Sequence, residues 1–215
     1  MIEENQIIEV FKQLNSSNLD YLLLRNIDQE LPGKLKKGKD IDLLVRKSDF
    51  NQWLSFFNTL DFKVIQHPLR NDVFLYETDP FIFLLQNKSG IIVDFNFQLC
   101  VRSLDKGQWI PLDEKMQDSA WANKRFEKAS DDFGYWTLSH NDEFITLVSR
   151  SIFDKKEFQK GYINRINELF PKINIEDVKQ KMNLVFFKYT PFLLEQVASQ
   201  EYDTILSNYL SFKDY

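Results

Sequence analysis

The stretch Lys39-Asp40-Ile41-Asp42-Leu43-Leu44-Val45 has the alternation of polar and apolar residues that is typical of a half-buried β-strand. Successive side chains of a strand point to opposite faces, so Asp40 and Asp42 share one face. Ile41, Leu43 and Val45 share the other face, which is suited to a protein core. The stretch therefore predicts a strand that carries two neighbouring carboxylates on its polar side.

A second stretch, Ile91-Ile92-Val93-Asp94-Phe95-Asn96-Phe97, alternates in the same way. One of its faces is wholly apolar, and Asp94 lies on the other. If the two strands are neighbours in one sheet, Asp40, Asp42 and Asp94 converge. Carboxylate oxygens are the ligands that Mg²⁺ and Mn²⁺ prefer. The two stretches therefore predict a metal site, in which the like charges repel one another unless a cation or solvent screens them.

The segments around these carboxylates follow a recognisable order. The chain first has a strand and then a glycine-containing loop. An Asp-x-Asp pair opens a second strand, and one further Asp lies on a later strand. The segments that carry this pattern are Tyr21-Leu22-Leu23-Leu24-Arg25-Asn26, Leu31-Pro32-Gly33 and Gly38-Lys39-Asp40-Ile41-Asp42. The pattern resembles the nucleotidyltransferase superfamily of the polymerase β type, and within it an uncharacterised bacterial branch associated with surface-polysaccharide gene clusters. The resemblance covers residues 20 to 100, and more loosely residues 138 to 169.

The resemblance implies an enzyme that transfers a nucleoside monophosphate from a nucleoside triphosphate (NTP) to a hydroxyl or phosphate acceptor and releases pyrophosphate. It assigns both metal binding and catalysis to Asp40, Asp42 and Asp94. Asp40 and Asp42 would bridge two Mg²⁺ or Mn²⁺ ions, and Asp94 would complete the second site and help to deprotonate the acceptor. The acceptor would be a small molecule, a sugar or a protein side chain.

One position departs from the superfamily pattern. A Gly-Ser pair normally ends the first strand and presents backbone N–H groups to the triphosphate, whereas Arg25-Asn26 stands there in this chain. A catalytically degenerate binding or scaffold protein is therefore the alternative function. The nucleotidyltransferase half of a toxin and antitoxin pair is a third.

The connection between the first two strands, residues 27 to 39, holds Gly38 and four lysines. Glycine allows close approach of the backbone to a ligand, and ammonium groups neutralise phosphate, so we expect a loop that binds the triphosphate. The alternative is a solvated loop whose lysines keep it soluble. Arg25 has a planar guanidinium that suits phosphate oxygens, or it pairs with an acidic neighbour such as Asp40. The residues assigned to nucleotide binding are Arg25, Asn26, Lys37, Gly38 and Lys39.

The remaining candidates are weaker. His67 and His140 are the chain's two histidines, and neither lies in a metal-ligand spacing, so both are predicted to be structural. Arg150, Lys155 and Lys156 either point into the cleft or form a solvated helix face, and the sequence favours the solvated face.

Composition narrows the class of protein. The chain has 215 residues, of which 15% are aromatic, so it has ample material for a core. Its net charge of −5 argues against a protein that mainly covers nucleic acid. A single cysteine, Cys100, excludes an internal disulfide. The N-terminus is acidic, and no apolar run approaches the ~20 residues that cross a bilayer. We therefore expect a cytoplasmic protein, whose oligomeric state the sequence does not reveal.

The fold class predicted from these patterns is α+β: a nucleotidyltransferase-like mixed or antiparallel sheet flanked by helices, followed by a C-terminal helical bundle. We expect an α/β domain over residues 1–101 and a mainly helical domain over residues 102–215 packed on it. Among the expected elements are strands at 73–76 and 81–85, a turn at 87–90 before the Asp94 strand, a helix near 113–127, a strand at 135–138 and a helix from Ser139 to Phe153.

Overall fold

The computed structural model describes residues 1–214, and these form an α+β fold, as the sequence predicts. The strands are β1 (Tyr21–Leu23), β2 (Asp40–Val45), β3 (Phe62–Ile65), β4 (Ile82–Gln86), β5 (Ile91–Asn96), β6 (Cys100–Arg102), β7 (Trp109–Pro111), β8 (Arg125–Lys128) and β9 (Gly134–Thr137). The α-helices are α1 (Glu4–Ser16), α2 (Phe50–Thr59), α3 (Glu114–Ala122), α4 (His140–Arg150), α5 (Lys160–Leu169), α6 (Ile175–Phe186), α7 (Thr190–Ala198) and α8 (Tyr202–Ser211).

A mixed seven-stranded sheet has the order β3-β4-β5-β2-β1-β9-β8, and β6 and β7 form a separate pair. At its centre, β2 runs parallel to β5 and antiparallel to β1. Strands β4 and β5 are antiparallel neighbours joined by the turn expected at residues 87–90, where Gly90 has a φ of +78° that favours glycine. This order brings the two carboxylate-bearing strands side by side.

Two hydrophobic cores cover the two faces of the sheet. Ile41, Leu43 and Val45 pack with α1 and α2 in one core, where Trp53 and Phe57 are fully buried. Burial of each such ring stabilises the fold by about 1.5–3 kcal/mol relative to exposure.

On the other face of β2, the side chains change from Asp40 and Asp42 to the fully buried Leu44. Leu44 belongs to the core formed with the C-terminal helices. The carboxylates thus lie at the end of the strand that this second core leaves uncovered, and the partly exposed Asp40 and Asp42 mark that edge.

The predicted strand at residues 73–76 is wrong. Phe74 makes a single bridge to Trp109, and the following Tyr76 and Glu77 have φ values of 53° and 62°. An extended strand does not contain such left-handed residues, so the chain turns here instead.

The predicted helix near residues 113–127 ends earlier, at Ala122. Residues 125–128 form β8 and pair with β9, because the tertiary pairing outweighs a weak helical pattern. The helix predicted to start at Ser139 does begin there: Ser139 accepts a hydrogen bond from the Asp142 N–H, and α4 continues from Arg150 into a π-helical turn, Ser151–Lys155.

Strands β8 and β9 lie in the same sheet as β1 to β5, so the sheet draws on both sides of residue 101. The division into domains at that residue stays a prediction. None of the helices in residues 1–214 combines the length and the apolar character needed to cross a membrane.

Candidate active site

The three predicted carboxylates meet at one edge of the sheet. Asp42 on β2 lies directly opposite Asp94 on β5 in the parallel ladder, and Asp40 is two residues earlier on the same face. One oxygen from each of the three side chains can be chosen so that all lie within 4.8 Å of one another. The strands are adjacent and the carboxylates share a face, as the alternation predicts.

Arg25 lies beside Asp42. Its Nε donates a hydrogen bond of 3.2 Å to Oδ2 of Asp42, and its Nη2 pairs with Oδ1. Both side chains are only 14% exposed. Burial alone would raise the pKa of Asp42, but the charges of Arg25 and Arg150 outweigh burial and hold it below its ordinary value. The acidic partner of Arg25 is thus Asp42 rather than Asp40.

Asp94 has a different environment. Burial raises the pKa of Asp94 to about 7; the nearby His67 side chain opposes this rise, and the charge of Asp42 adds to it. Its Oδ1 is buried and has no hydrogen-bond partner within residues 1–214. Burial also raises the pKa of Asp40, with a further contribution from the charge of Asp42. The repulsion expected between the carboxylates is therefore relieved at Asp42 and remains at Asp94 and Asp40.

A cleft of about 510 Å³ opens above the carboxylates. Positive side chains from three parts of the chain line it: Arg25, Lys39, Arg150 and Lys155. Its lining also includes the aromatic side chains of Phe81, Phe83, Trp109 and Tyr162. A cleft with acidic ligands at its base and cations around it can hold a polyphosphate together with a divalent ion.

The residues assigned to nucleotide binding divide into two sets. Arg25, Asn26 and Lys39 line the cleft, whereas Lys37 and Gly38 lie outside its lining. Lys39 pairs with Glu30, and Gly38 provides a left-handed turn with φ +83° just before β2.

Asn26 anchors the loop through its side chain. Its Oδ1 accepts the Leu31 N–H at 2.9 Å, and its Nδ2 donates to the Tyr135 hydroxyl at 3.2 Å. The bond to Tyr135 attaches the start of this loop, which follows β1, to strand β9.

The helical half contributes more to the cleft than the sequence indicated. The preference for a solvated face is wrong for Arg150, which is 16% exposed, lines the cleft and pairs with Asp154 at 2.9 Å. Lys155 also lines it, whereas Lys156 donates to the Leu104 carbonyl at 3.0 Å. Arg150 and Lys155 come near Asp42 from the end of α4 and from the π-helical turn after it, which contacts β6.

His67 also lines the cleft. The sequence predicts a structural role for it, yet its Nε2 lies 3.5 Å from Oδ1 of Asp94. No metal-ligand spacing identifies it, because its position depends on the long connection between β3 and β4. The one available signal was that this connection leads into the strand that pairs with β5.

The residues present fit a hard divalent cation. All three candidate ligands are carboxylates, and one oxygen from each can lie within 4.8 Å of the other two. An ion bound there would supply the positive charge that Asp40 and Asp94 lack, since Arg25 is bonded to Asp42 alone.

This chain was compared with known families, curated proteins and solved structures. No protein-family model matches this chain, and no curated protein sequence does. Among solved structures, the antibiotic-resistance factor ANT(2'')-Ia aligns with 94% of this chain and 98% of its own, with 12% identity and a TM-score of 0.49. The lincosamide antibiotic adenylyltransferase LnuA, with lincomycin bound, aligns with 77% of this chain and 93% of its own, with 11% identity and a TM-score of 0.40. At identities of 11–12% the activity of this chain has to be inferred from its own residues.

Proposed function

We propose that this protein is a Mg²⁺-dependent nucleotidyltransferase that transfers a nucleoside monophosphate from an NTP to a hydroxyl or phosphate acceptor. The observation that carries the proposal is the convergence of Asp40, Asp42 and Asp94 within 4.8 Å at the base of a cleft lined by cations. Phosphoryl chemistry of this kind needs positioning and charge neutralisation more than covalent catalysis, and the cleft offers both.

Asp40, Asp42 and Asp94 would hold the metal ions. When bound, these ions would neutralise the triphosphate and make the acceptor hydroxyl more acidic. Arg25, Lys39, Arg150 and Lys155 would bind phosphate oxygens through charge-assisted hydrogen bonds. Mn²⁺ would serve in the same way, because it takes the same oxygen ligands.

The reaction forms one bond to the α-phosphorus and breaks another. The acceptor oxygen attacks the α-phosphorus, the bond to the bridging oxygen breaks, and pyrophosphate leaves with the bonding electrons. Asp94 would take the proton of the acceptor hydroxyl as a general base. Lys39 and Lys155 are exposed at the cleft and would neutralise the departing pyrophosphate.

The acceptor is the open part of the proposal. The rings of Phe81 and Phe83 beside His67 offer the acceptor an apolar surface, and the resemblance of the sequence implies a role in surface-polysaccharide metabolism. A sugar, a sugar phosphate and a protein hydroxyl are therefore the acceptors to test first.

One observation favours the alternative, a catalytically degenerate binding or scaffold protein. Arg25 bonds both oxygens of Asp42, so it competes with a metal ion for that carboxylate. In a degenerate protein this ion pair would be permanent. In an enzyme, Arg25 would exchange Asp42 for a phosphate group when the metal and the NTP bind.

Transfer of radiolabel separates these functions. The protein is incubated with Mg²⁺ and each of the four NTPs, labelled either at the α- or at the γ-phosphate, together with sugars, sugar phosphates and proteins. The proposal predicts that only the α-label reaches an acceptor, and that Asp40→Asn abolishes the transfer. Asp132→Asn, at an exposed acid 79% accessible, is the control and should transfer normally. Binding of an NTP without transfer to any acceptor would support the degenerate protein instead.

A further inference from the structure

His67 lies in the connection between β3 and β4 and is almost completely buried, with 9% of its surface exposed. Its ring packs against Phe83 and Phe81, with centroid distances of 4.1 Å and 5.6 Å. These contacts turn its Nε2 toward Oδ1 of Asp94, 3.5 Å away. Both atoms are sealed from solvent, and neither has another hydrogen-bond partner in the part of the chain that is described.

The other ring nitrogen fixes which tautomer is present. The backbone N–H of Leu69 donates to Nδ1 of His67 at 2.9 Å, so the lone pair of Nδ1 is used as an acceptor. A neutral imidazole with an accepting Nδ1 carries its proton on Nε2. The nitrogen that faces Asp94 is therefore a donor, and it has no lone pair to offer to a metal ion.

A histidine that merely filled space would leave two buried polar atoms unsatisfied, which costs free energy. Because these atoms face one another at 3.5 Å, one hydrogen bond satisfies both after a small side-chain adjustment. Such a bond would hold one oxygen of Asp94 and fix the plane of the carboxylate.

We propose that His67 is a positioning residue for Asp94: its Nε2–H donates to Oδ1 and leaves Oδ2 as the atom that Asp94 presents to the cation and the acceptor. The role toward the cation rests on the proposed function, whereas the hydrogen bond between the two side chains does not. Partners of this kind that orient a metal ligand typically contribute about 10–100-fold to metal affinity.

Nitrogen NMR of the metal-free protein tests the hydrogen bond. The chain has two histidines, so the His140→Gln variant leaves His67 as the sole imidazole. The ¹⁵N shifts should identify the Nε2–H tautomer, Asp94→Asn should move the Nε2 resonance, and added Mg²⁺ should leave the proton on Nε2. A proton on Nδ1, or an Nε2 resonance that does not respond to Asp94→Asn, would overturn the proposal.

Binding of Mn²⁺, followed by electron paramagnetic resonance, tests the consequence. His67→Phe keeps the ring packing but removes the donor, and it should weaken Mn²⁺ binding by about tenfold or more. His67→Gln retains an N–H donor at similar reach and should restore most of the affinity, while His140→Gln should match the parent. Equal affinity in the parent and in a folded His67→Phe variant would contradict the proposal. A parent that binds no Mn²⁺ would refute the proposed function, and the NMR result would still decide whether His67 holds Asp94.

Discussion

Asp42 and Asp94 face each other across two parallel strands, yet their surroundings shift their pKa values in opposite directions. Asp42 lies beside the guanidinium of Arg25, whereas the side chain beside Asp94 is the imidazole of His67. A pair of acids whose environments separate their pKa values is a common property of sites that transfer protons. The two residues are therefore suited to different tasks, charge binding at Asp42 and proton transfer at Asp94.

This difference predicts opposite effects of removing each charge from the metal-free protein. Asp42→Asn leaves the buried Arg25 unpaired and should lower the free energy of unfolding by about 3 kcal/mol. Asp94→Asn removes an unfavourable buried charge and should raise the free energy of unfolding by up to about 4 kcal/mol at about pH 8.

The pH dependence of the Asp94 effect follows from its raised pKa. The folded-state value, about 7, lies above the ordinary 3.8, so the contribution of Asp94 to stability is fully present below 3.8 and is lost as the pH rises through about 7. The advantage of Asp94→Asn over the parent should therefore shrink as the pH is lowered. Urea unfolding with a chelator at several pH values measures it, and parallel curves for variant and parent would count against the buried charge.

At the scale of single residues, the sequence predicts Asp40, Asp42 and Asp94 because the alternation of a strand is a local property. It does not predict the bond between Arg25 and Asp42 or the approach of His67 to Asp94. Those contacts depend on how the ends of β1 and β3 are placed in three dimensions, which no spacing along the chain encodes.

Among the elements, the loop that follows β1 forms a wall of the cleft under backbone strain. Asp28 and Gln29 have φ values of 56° and 52°, which non-glycine residues rarely adopt. The loop packs against the start of α5, where a Cβ on Gly161 would lie 2.6 Å from Oδ2 of Asp28 and 2.7 Å from a methyl of Ile27. Glycine at position 161 therefore permits this close approach.

We expect Gly161→Ala to displace this wall without unfolding the protein. Alanine favours a helix over glycine, so the free energy of unfolding should change little, while Mg²⁺-ATP affinity should fall by about tenfold, or 1.4 kcal/mol. Gly33→Ala is the matched control, because its Cβ would approach only the flexible carboxylate of Glu4, at 3.0 Å. Equal nucleotide affinity in the two variants would show that the wall tolerates the added methyl group.

The lysines of the same loop give a second prediction at this scale. Of the four, only Lys39 lines the cleft, where Lys155 from the helical half joins it. The combined change of Lys39 and Lys155 to Ser should weaken ATP binding and reduce its dependence on salt, because screening acts over about 8 Å at physiological ionic strength. Changing Lys34, Lys36 and Lys37 to Ser removes more charge and should matter less. ATP titrations at low and high salt compare the two variants. A larger loss of affinity in the variant without Lys34, Lys36 and Lys37 would indicate that the whole loop binds the phosphates.

At the scale of the whole molecule, the site depends on both halves of the chain. The N-terminal half supplies the carboxylates on β2 and β5, and the helical half supplies Arg150, Lys155 and Tyr162. The second core ends at Leu44, so the helices leave the adjoining carboxylates open while they bring cations beside them. The cleft is thus a product of how the helices pack on the sheet.

The parts of the fold that could be predicted are those whose local sequence pattern is strong. Strands β2 and β5 have strong alternation with one apolar face, and the hairpin turn before β5 has its own glycine signal. Residues 125–128 follow the weak helical pattern of α3 along the sequence, yet they pair with β9 in an antiparallel hairpin. Residues 73–76 have the apolar composition of a strand, yet Phe74 stacks on Trp109 and makes a single bridge instead of a ladder. Local patterns thus decide the first set, whereas contacts with other segments decide the second.

Calorimetric titration of the metal-free protein with the four NTPs, as analogues that cannot be cleaved between the α- and β-phosphates, tests the central claim most directly. The nucleotidyltransferase account predicts that at least one NTP binds at low salt in the presence of Mg²⁺. It also predicts that binding weakens at least tenfold, by about 1.4 kcal/mol, when Mg²⁺ is withheld or when Asp40 is changed to Asn. Failure of all four NTPs to bind the folded parent protein at low salt with Mg²⁺ would contradict the account.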